Sequence, residues 1–290
     1  MPQPASHTIL HEMLRSFVAL AHTLNLSKAV RQLKSTRQTV RRHISALEEA
    51  KGQPLFELVD RQYQLTKVGR RSLREAEHIL SRSDAWLANR RVHIDGLEVI
   101  KHKNDTGQGY FSQQHHLSRI WQDGTPLLRT GFECWARSHG KIEDPALAEI
   151  RPYMLIYRRV EDHVWQCVEI GEKSSYAIWF GWKWVKSNVG YLVKDTPAGP
   201  EFAGHVSDAY SEINAKGGAR LDHIFRTVPS KTGDFKSISF QRLLVGCSFP
   251  DGSPAIGSIA EFTRKVEIED LLDEDFAPMT REMEKSFNPK

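Results

Sequence analysis

An α+β protein with at least two domains is what this sequence predicts, and three features carry that reading. Apolar side chains recur at helical spacing through the first ninety residues. Stretches of β-branched and aromatic residues with strand-like patterning gather after Tyr153. The chain's 290 residues exceed the usual size of one domain. An apolar content of 40% supports packed cores, and 26% charged residues keep the surface wet.

The N-terminal elements follow in order. Leu10, Leu14, Phe17, Val18 and Ala21 make one buried stripe on a first helix. Ser27 is placed to cap a short second helix that turns Ala29, Val30 and Leu33 inward. Thr36 is placed to cap a third, with Val40, Ile44 and Leu47 as its apolar face. Gly52 ends that pattern and Pro54 prevents its resumption. Two short strands, Phe56–Val59 and Tyr63–Thr66, flank a polar tip at 60–62. A long helix then runs from about Val68 to Ala88. Along it Leu73, Leu80 and Leu87 are spaced by seven, as are Ile79 and Trp86, with Ala76 and Ser83 completing a seam. Such a repeat suits a two-stranded helical contact between copies of the chain, or packing against the helix's own domain.

Charge is unevenly spread. Residues 1–100 hold sixteen Lys and Arg against ten Asp and Glu, a net of +6, which leaves −2 for residues 101–290. A polyanion would therefore meet the front of the chain. Between Lys28 and Arg42 lie six cations and no acid. On the third helix Gln38, Arg41, Arg42 and Ser45 point away from the apolar face, with Thr36 and Arg37 at its N-terminus. A helix of this width fits the major groove of double-stranded DNA, where Arg engages guanine and Gln adenine bidentately. Lys28, Arg31 and Lys34 sit nearer the turn and suit phosphates. Helix, turn, reading helix and hairpin together describe a winged helix-turn-helix over residues 1–67.

The residues of this segment closely resemble those of LysR-type transcriptional regulators. The resemblance runs through Leu14-Arg15-Ser16-Phe17-Val18-Ala19, Leu26–Leu33 and Ser35–Glu49, then Gly52-Gln53-Pro54-Leu55-Phe56 and Leu65-Thr66-Lys67-Val68-Gly69, covering about residues 10–88. It implies DNA contacts from Thr36–Ser45, a hairpin contact near Arg61, and dimerisation through the 68–90 helix by Leu73, Ala76, Ile79, Leu80, Ser83, Trp86 and Leu87. Three positions depart from the family's pattern: Val30 replaces a second alanine, Arg41 a small hydroxyl residue, and Leu58 a common arginine. A homodimer is expected, with a tetramer left open.

Residues 91–149 are read as a connecting region punctuated by glycines. Residues 150–265 order as two strands, Tyr153–Arg158 and Val164–Ile170, then short helices including Glu201–Lys216. Three strands follow, Arg220–Val228, Lys236–Ser248 and Ala255–Phe262. This is expected to be an antiparallel sheet with helices gathered on one side, and it resembles a PAS-type sensor in element order and length. The paired α/β effector domain usual in LysR-type regulators is not legible here; a divergent form of it, or another α+β domain, are the alternatives. Trp179, Trp182 and Trp184 could line a pocket for a flat small-molecule effector, or form a core cluster. Residues 266–290 read as a tail.

Cys134, Cys167 and Cys247 lack the pairing of a disulfide framework or thiolate metal site. No leader pattern or membrane-length apolar run is legible, which points to a cytoplasmic protein. Phosphate-binding, metalloprotease and nucleophile-elbow motifs are missing, so no catalytic residue, metal site or cofactor is expected. A DNA-binding transcription regulator is the resulting expectation. A dimeric protein-interaction scaffold with a vestigial DNA-binding domain is the alternative.

Overall fold

The computed structural model describes residues 10–60, 62–88, 91–103, 109–161, 164–195, 200–229, 235–269, 271 and 279–280. Two units follow one another along the chain, Met1–Arg91 and Val92–Lys290.

In the first unit the expected elements form: α1 (Leu10–Thr23), α2 (Leu26–Leu33), α3 (Arg37–Lys51), β1 (Phe56–Val59), β2 (Gln62–Leu65) and α4 (Lys67–Leu87). Their apolar faces meet in one core that includes Met13, Phe17, Leu20, Ala29, Val40, Ile44, Leu47 and Leu55. Phe56 carries this core into the hairpin, edge-on to Phe17 at 5.6 Å and to Tyr63 at 5.9 Å. The hairpin pairs Phe56 with Leu65 through to Val59 with Gln62.

Local chemistry sets the helix ends. Thr36 caps α3 by accepting from the Thr39 amide, and Gly52 closes it at φ 65° in the left-handed region. The cap of α2 is Asn25, not the expected Ser27. Asn25 Oδ1 accepts from the Ser27 and Lys28 amides at 3.0 and 3.1 Å. The helix begins at Leu26, so Ser27 already lies inside its first turn. Thr66 caps α4 and donates to the Pro54 carbonyl at 2.7 Å. Beside it α4 runs so close to the chain before β1 that a Cβ on Gly69 would stand 2.0 Å from the Leu55 carbonyl oxygen.

The heptad expected on α4 divides. Ala76 is buried and Leu73 and Leu80 pack half-buried against their own unit's core, whereas Ile79, Trp86 and Leu87 are 45%, 66% and 65% exposed. Ser83 is half-buried. With 3.6 residues per turn, spacings of three, four and seven all fall near one face. The first half of α4 uses that face against α1, and only later positions turn apolar side chains outward.

The second unit is built on an eight-stranded sheet in the order β3-β4-β5-β8-β9-β10-β6-β7. Its strands are β3 (Arg91–Ile94), β4 (Leu97–Lys103), β5 (Gly109–His115), β6 (Met154–Glu161), β7 (Val164–Ile170), β8 (Ala219–Pro229), β9 (Phe235–Ser248) and β10 (Pro254–Phe262). Helices α5 (Arg119–Gln122) and α6 (Pro126–Arg137) follow β5. Helices α7 (Ser175–Phe180), α8 (Trp182–Asn188) and α9 (Pro200–Lys216) follow β7. The five strands expected within 150–265 are present in the expected sequence order.

Two expectations are corrected. Residues 91–149 do not merely connect: they add three strands to the β8 side of the sheet and a helix to one of its faces. Helices therefore lie on both sides of the sheet. On one face Leu127, Leu128 and Cys134 of α6 pack on Met154, Ile156, Leu243, Val245 and Ile259. On the other Val206, Ala209, Tyr210 and Ile213 of α9 pack on Leu155, Tyr157, Trp165, Leu244 and Ile256. Alternate residues of β9 serve opposite cores, so Leu243, Leu244 and Val245 form an uninterrupted apolar run within it.

A buried ionic knot joins the added strands to the rest. Arg220 donates to Asp222 at 2.7 Å, to Glu98 of β4 at 2.9 Å and to Glu212 of α9 at 3.1 Å. Arg242 reaches the other Asp222 oxygen at 2.7 Å. Burial alone would raise the Asp222 carboxyl; the two guanidinium charges outweigh it and hold the pKa below its ordinary value. Among the described residues no helix is long and apolar enough to cross a membrane, and no group of three or more His, Cys, Asp or Glu is placed to hold a metal ion.

Candidate nucleic-acid interface

Helix α3 separates its two jobs by face. Val40, His43, Ile44 and Leu47 are buried inward, while Gln38, Arg41, Arg42 and Ser45 are exposed on the outside. Lys28 and Arg31 on α2, and Lys34, Thr36 and Arg37 around the turn, are exposed as well. Lys34 closes α2 at φ 50°, its amide donating to the Arg31 and Val30 carbonyls, which makes the turn tight. The result is a cationic surface spread over α2, the turn and α3 of one unit.

Two of these residues also have structural work. The Thr36 hydroxyl accepts the Thr39 amide at 3.1 Å. Arg37 donates through Nη2 to the Ser27 hydroxyl at 2.8 Å, bracing the start of α3 against α2. Ser27, expected as a cap, is thus the acceptor that steadies this arginine. Arg61 lies outside the described residues.

Sequence reasoning missed the residue that holds α3 from behind. His43 sits in the α1–α3 core with Nδ1 and the Ser16 hydroxyl 2.8 Å apart. Burial, aided by the Arg42 charge, pushes its pKa below the ordinary histidine value. The signal was its position three residues after Val40, in phase with the apolar stripe. Glu48 was missed too: its Oε1 accepts from the Leu55 and Phe56 amides at 2.7 and 3.1 Å, fixing the entry of the hairpin to α3.

Between α3 and β1 a cavity of about 300 Å³ is lined by Arg41, Ser45, Glu48, Glu57, Leu58 and Tyr63 among others. Arg41 and Ser45 therefore stand on the hairpin side of the exposed face of α3. Leu58 is 66% exposed beside them, so the hairpin meets solvent with an apolar side chain there.

In the second unit, the residues expected to line an aromatic pocket fall on α7 and α8. The side chains of Trp179, Trp182 and Trp184 lie outside the described residues. Cys167 and Cys247 are enclosed enough that burial pushes both thiols up to about 12, which makes them inert as thiolates.

Residues 11–70 match the family described as "Bacterial regulatory helix-turn-helix protein, lysR family". The "Probable cat1 operon transcriptional activator" of Acinetobacter lwoffii is 37% identical over 87 residues, 30% of this chain and 29% of that protein. The "HTH-type transcriptional regulator BudR" of Klebsiella aerogenes is 36% identical over 84 residues, 29% of this chain and 59% of that protein. Among solved structures, the complex of the BenM DNA-binding domain with catB site 1 DNA is 29% identical. It covers 27% of this chain and 88% of that one, with a TM-score of 0.26. The chain spans less than a third of the length of the first curated relatives it matches.

Proposed function

Since residues 11–70 form a LysR-family helix-turn-helix domain, we propose that this protein is a sequence-specific DNA-binding transcription regulator. The observation that carries the reading is the division of α3: Gln38, Arg41, Arg42 and Ser45 are free to enter a groove while Val40, Ile44 and Leu47 anchor the helix. Arg41, Arg42 and Gln38 read base edges, with Ser45 beside them. Lys28, Arg31 and Lys34, with Arg37 and Thr36 at the positive end of α3 and Arg61 on the hairpin, neutralise phosphates.

The protein acts as a homodimer through the exposed part of α4, where Ile79, Trp86 and Leu87 offer the apolar contact. Two reading helices then address two half-sites on one face of the duplex. The second unit supplies regulation. Its strand–helix–strand order over residues 150–265 supports a PAS-like sensing role, and a small molecule that favours one state of the dimer would shift operator occupancy.

Selection of fragmented genomic DNA by the immobilised protein tests the reading. The expected outcome is enrichment of a paired half-site, protected in footprinting. Recovery of fragments in proportion to their abundance overturns it.

A further inference from the structure

Beside the cationic face of α3, strand β1 holds an apolar side chain out in solvent. Successive residues of a strand point to opposite faces, so Phe56 and Leu58 share one. Phe56 is buried against Phe17 and Tyr63. Leu58, paired with Tyr63 across the hairpin, stands beyond the edge of that core and is 66% exposed. Its side chain therefore has little part in the fold. Leu58 instead lines the cavity of about 300 Å³ together with Arg41 and Ser45 of α3. Val59, by the same alternation, belongs to the opposite face of β1.

What meets this leucine in a complex with DNA follows from its neighbours. Arg41 and Ser45 are exposed, and among the described residues neither side chain makes a hydrogen bond or ion pair, so their donors are unspent. Of the two acids on the lining, Glu48 accepts from the Leu55 and Phe56 amides, while Glu57, next to Leu58, is exposed. A phosphate beside Glu57 would meet a like charge. Base edges carry no net charge, and they include the cytosine amino group, from which a carboxylate accepts. Leu58 has neither a charge to neutralise a phosphate nor a donor for a base. The apolar group that a base pair presents in the major groove is the 5-methyl of thymine.

We infer that Leu58 is a specificity-determining residue that packs on the methyl group of a thymine, in the half-site that Arg41 reads. The contact takes apolar surface of both partners out of water. It favours an A·T pair in one orientation at that position, because only thymine carries the methyl. No counterion is released by it, so its contribution does not weaken with salt as a phosphate contact does. This inference rests on the proposed reading of DNA by α3 and adds to it a hairpin residue that selects a base without a hydrogen bond.

The test uses the full chain and the operator recovered by genomic selection. Each thymine of the operator is replaced in turn by uracil, which removes the methyl and keeps every hydrogen bond of the pair. The native protein should lose about four-fold in affinity at a thymine of each half-site, the worth of one buried methyl. Leu58→Ala, an exposed change that should leave far-UV circular dichroism unmoved, should bind the thymine operator more weakly and lose its sensitivity to that replacement. Both proteins should show the same salt slope, since no charge has changed. Absence of a sensitive thymine, as a hairpin seated in the minor groove would give, overturns the assignment and leaves the DNA reading standing. Equal sensitivity at every thymine in Leu58→Ala does the same. Failure to recover any operator overturns the DNA reading itself, and this inference with it.

Discussion

Arg41 and Lys28 both present exposed cations, and the proposed function gives them different work. Arg41 stands on the outward face of α3, where a bidentate base contact discriminates by about 1–3 kcal/mol. Arg41→Ala should therefore lower preference for the selected operator more than affinity for random DNA; equal losses in competitive gel shifts would make it a phosphate clamp. Lys28→Ala should weaken both DNAs alike and reduce the slope of log affinity against log salt by about one. An unchanged slope would remove Lys28 from the phosphate contacts. His43 acts from behind the interface. His43→Leu leaves the Ser16 hydroxyl unpaired in a core and should cost about 1–3 kcal/mol in urea unfolding. The native His43 pKa lies below its ordinary 6.5. Its contribution is thus complete above that pH and is lost as pH falls through the folded value. The leucine variant should show a shallower decline of stability in that window, and an identical pH profile would refute the assignment. Arg41 was legible because six cations without an acid stand out in a line of text. His43 was not, since a histidine on an apolar stripe reads as a gap until its partner on another helix is known.

At the scale of elements, α4 shows how one pattern can serve two surfaces. Ala76 is buried in its own unit and Trp86 is largely exposed on the same helix. Trp86→Asp should lower the mass measured by sedimentation towards that of a single chain while leaving the far-UV circular dichroism of the folded chain nearly unmoved, with a melting temperature that no longer rises with protein concentration. An unchanged mass would place the dimer contact elsewhere. The seam was visible as a repeat of seven, but a repeat does not say which neighbour it meets. The turn between α2 and α3, the hairpin and the strands β6 to β10 were legible for a better reason. Each announces itself through caps, glycine or alternation within a few residues. Strands β3 to β5 lack that clarity, because their polar faces receive partners from far along the chain. His115 of β5 bonds the Glu267 carbonyl at 2.9 Å, and Gln113 accepts the Glu269 amide at 2.7 Å.

Across the second unit as a whole, the segment after β10 is strapped to the sheet by a row of buried polar side chains. His223 and His115 lie with ring centres 4.1 Å apart, their planes tilted by 46°, and His223 Nδ1 accepts the Glu267 amide at 3.0 Å. Burial, with the His115 and Arg119 charges adding, pushes His223 down to about 4; Asp123 and Asp222 oppose that fall without reversing it. The imidazole is neutral near pH 7 and an acceptor, which protonation would abolish. Stability of this unit should be complete above about pH 6.5 and decline towards pH 4, measured as a fall in melting temperature. His223→Gln should flatten that decline, and an equal decline in the variant would exclude the histidine as its cause. Sequence by itself determined the helix-turn-helix, the exposed basic face of α3, the late strands and the α+β class. These follow from periodicity, capping and charge, which act between near neighbours. Tertiary structure alone decided that residues 91–149 join the sheet, that helices cover both its faces, and that α4 divides its apolar stripe. Those outcomes depend on strand pairing and packing between residues on different elements, far outside the reach of a local pattern, and no such pattern encodes the partner.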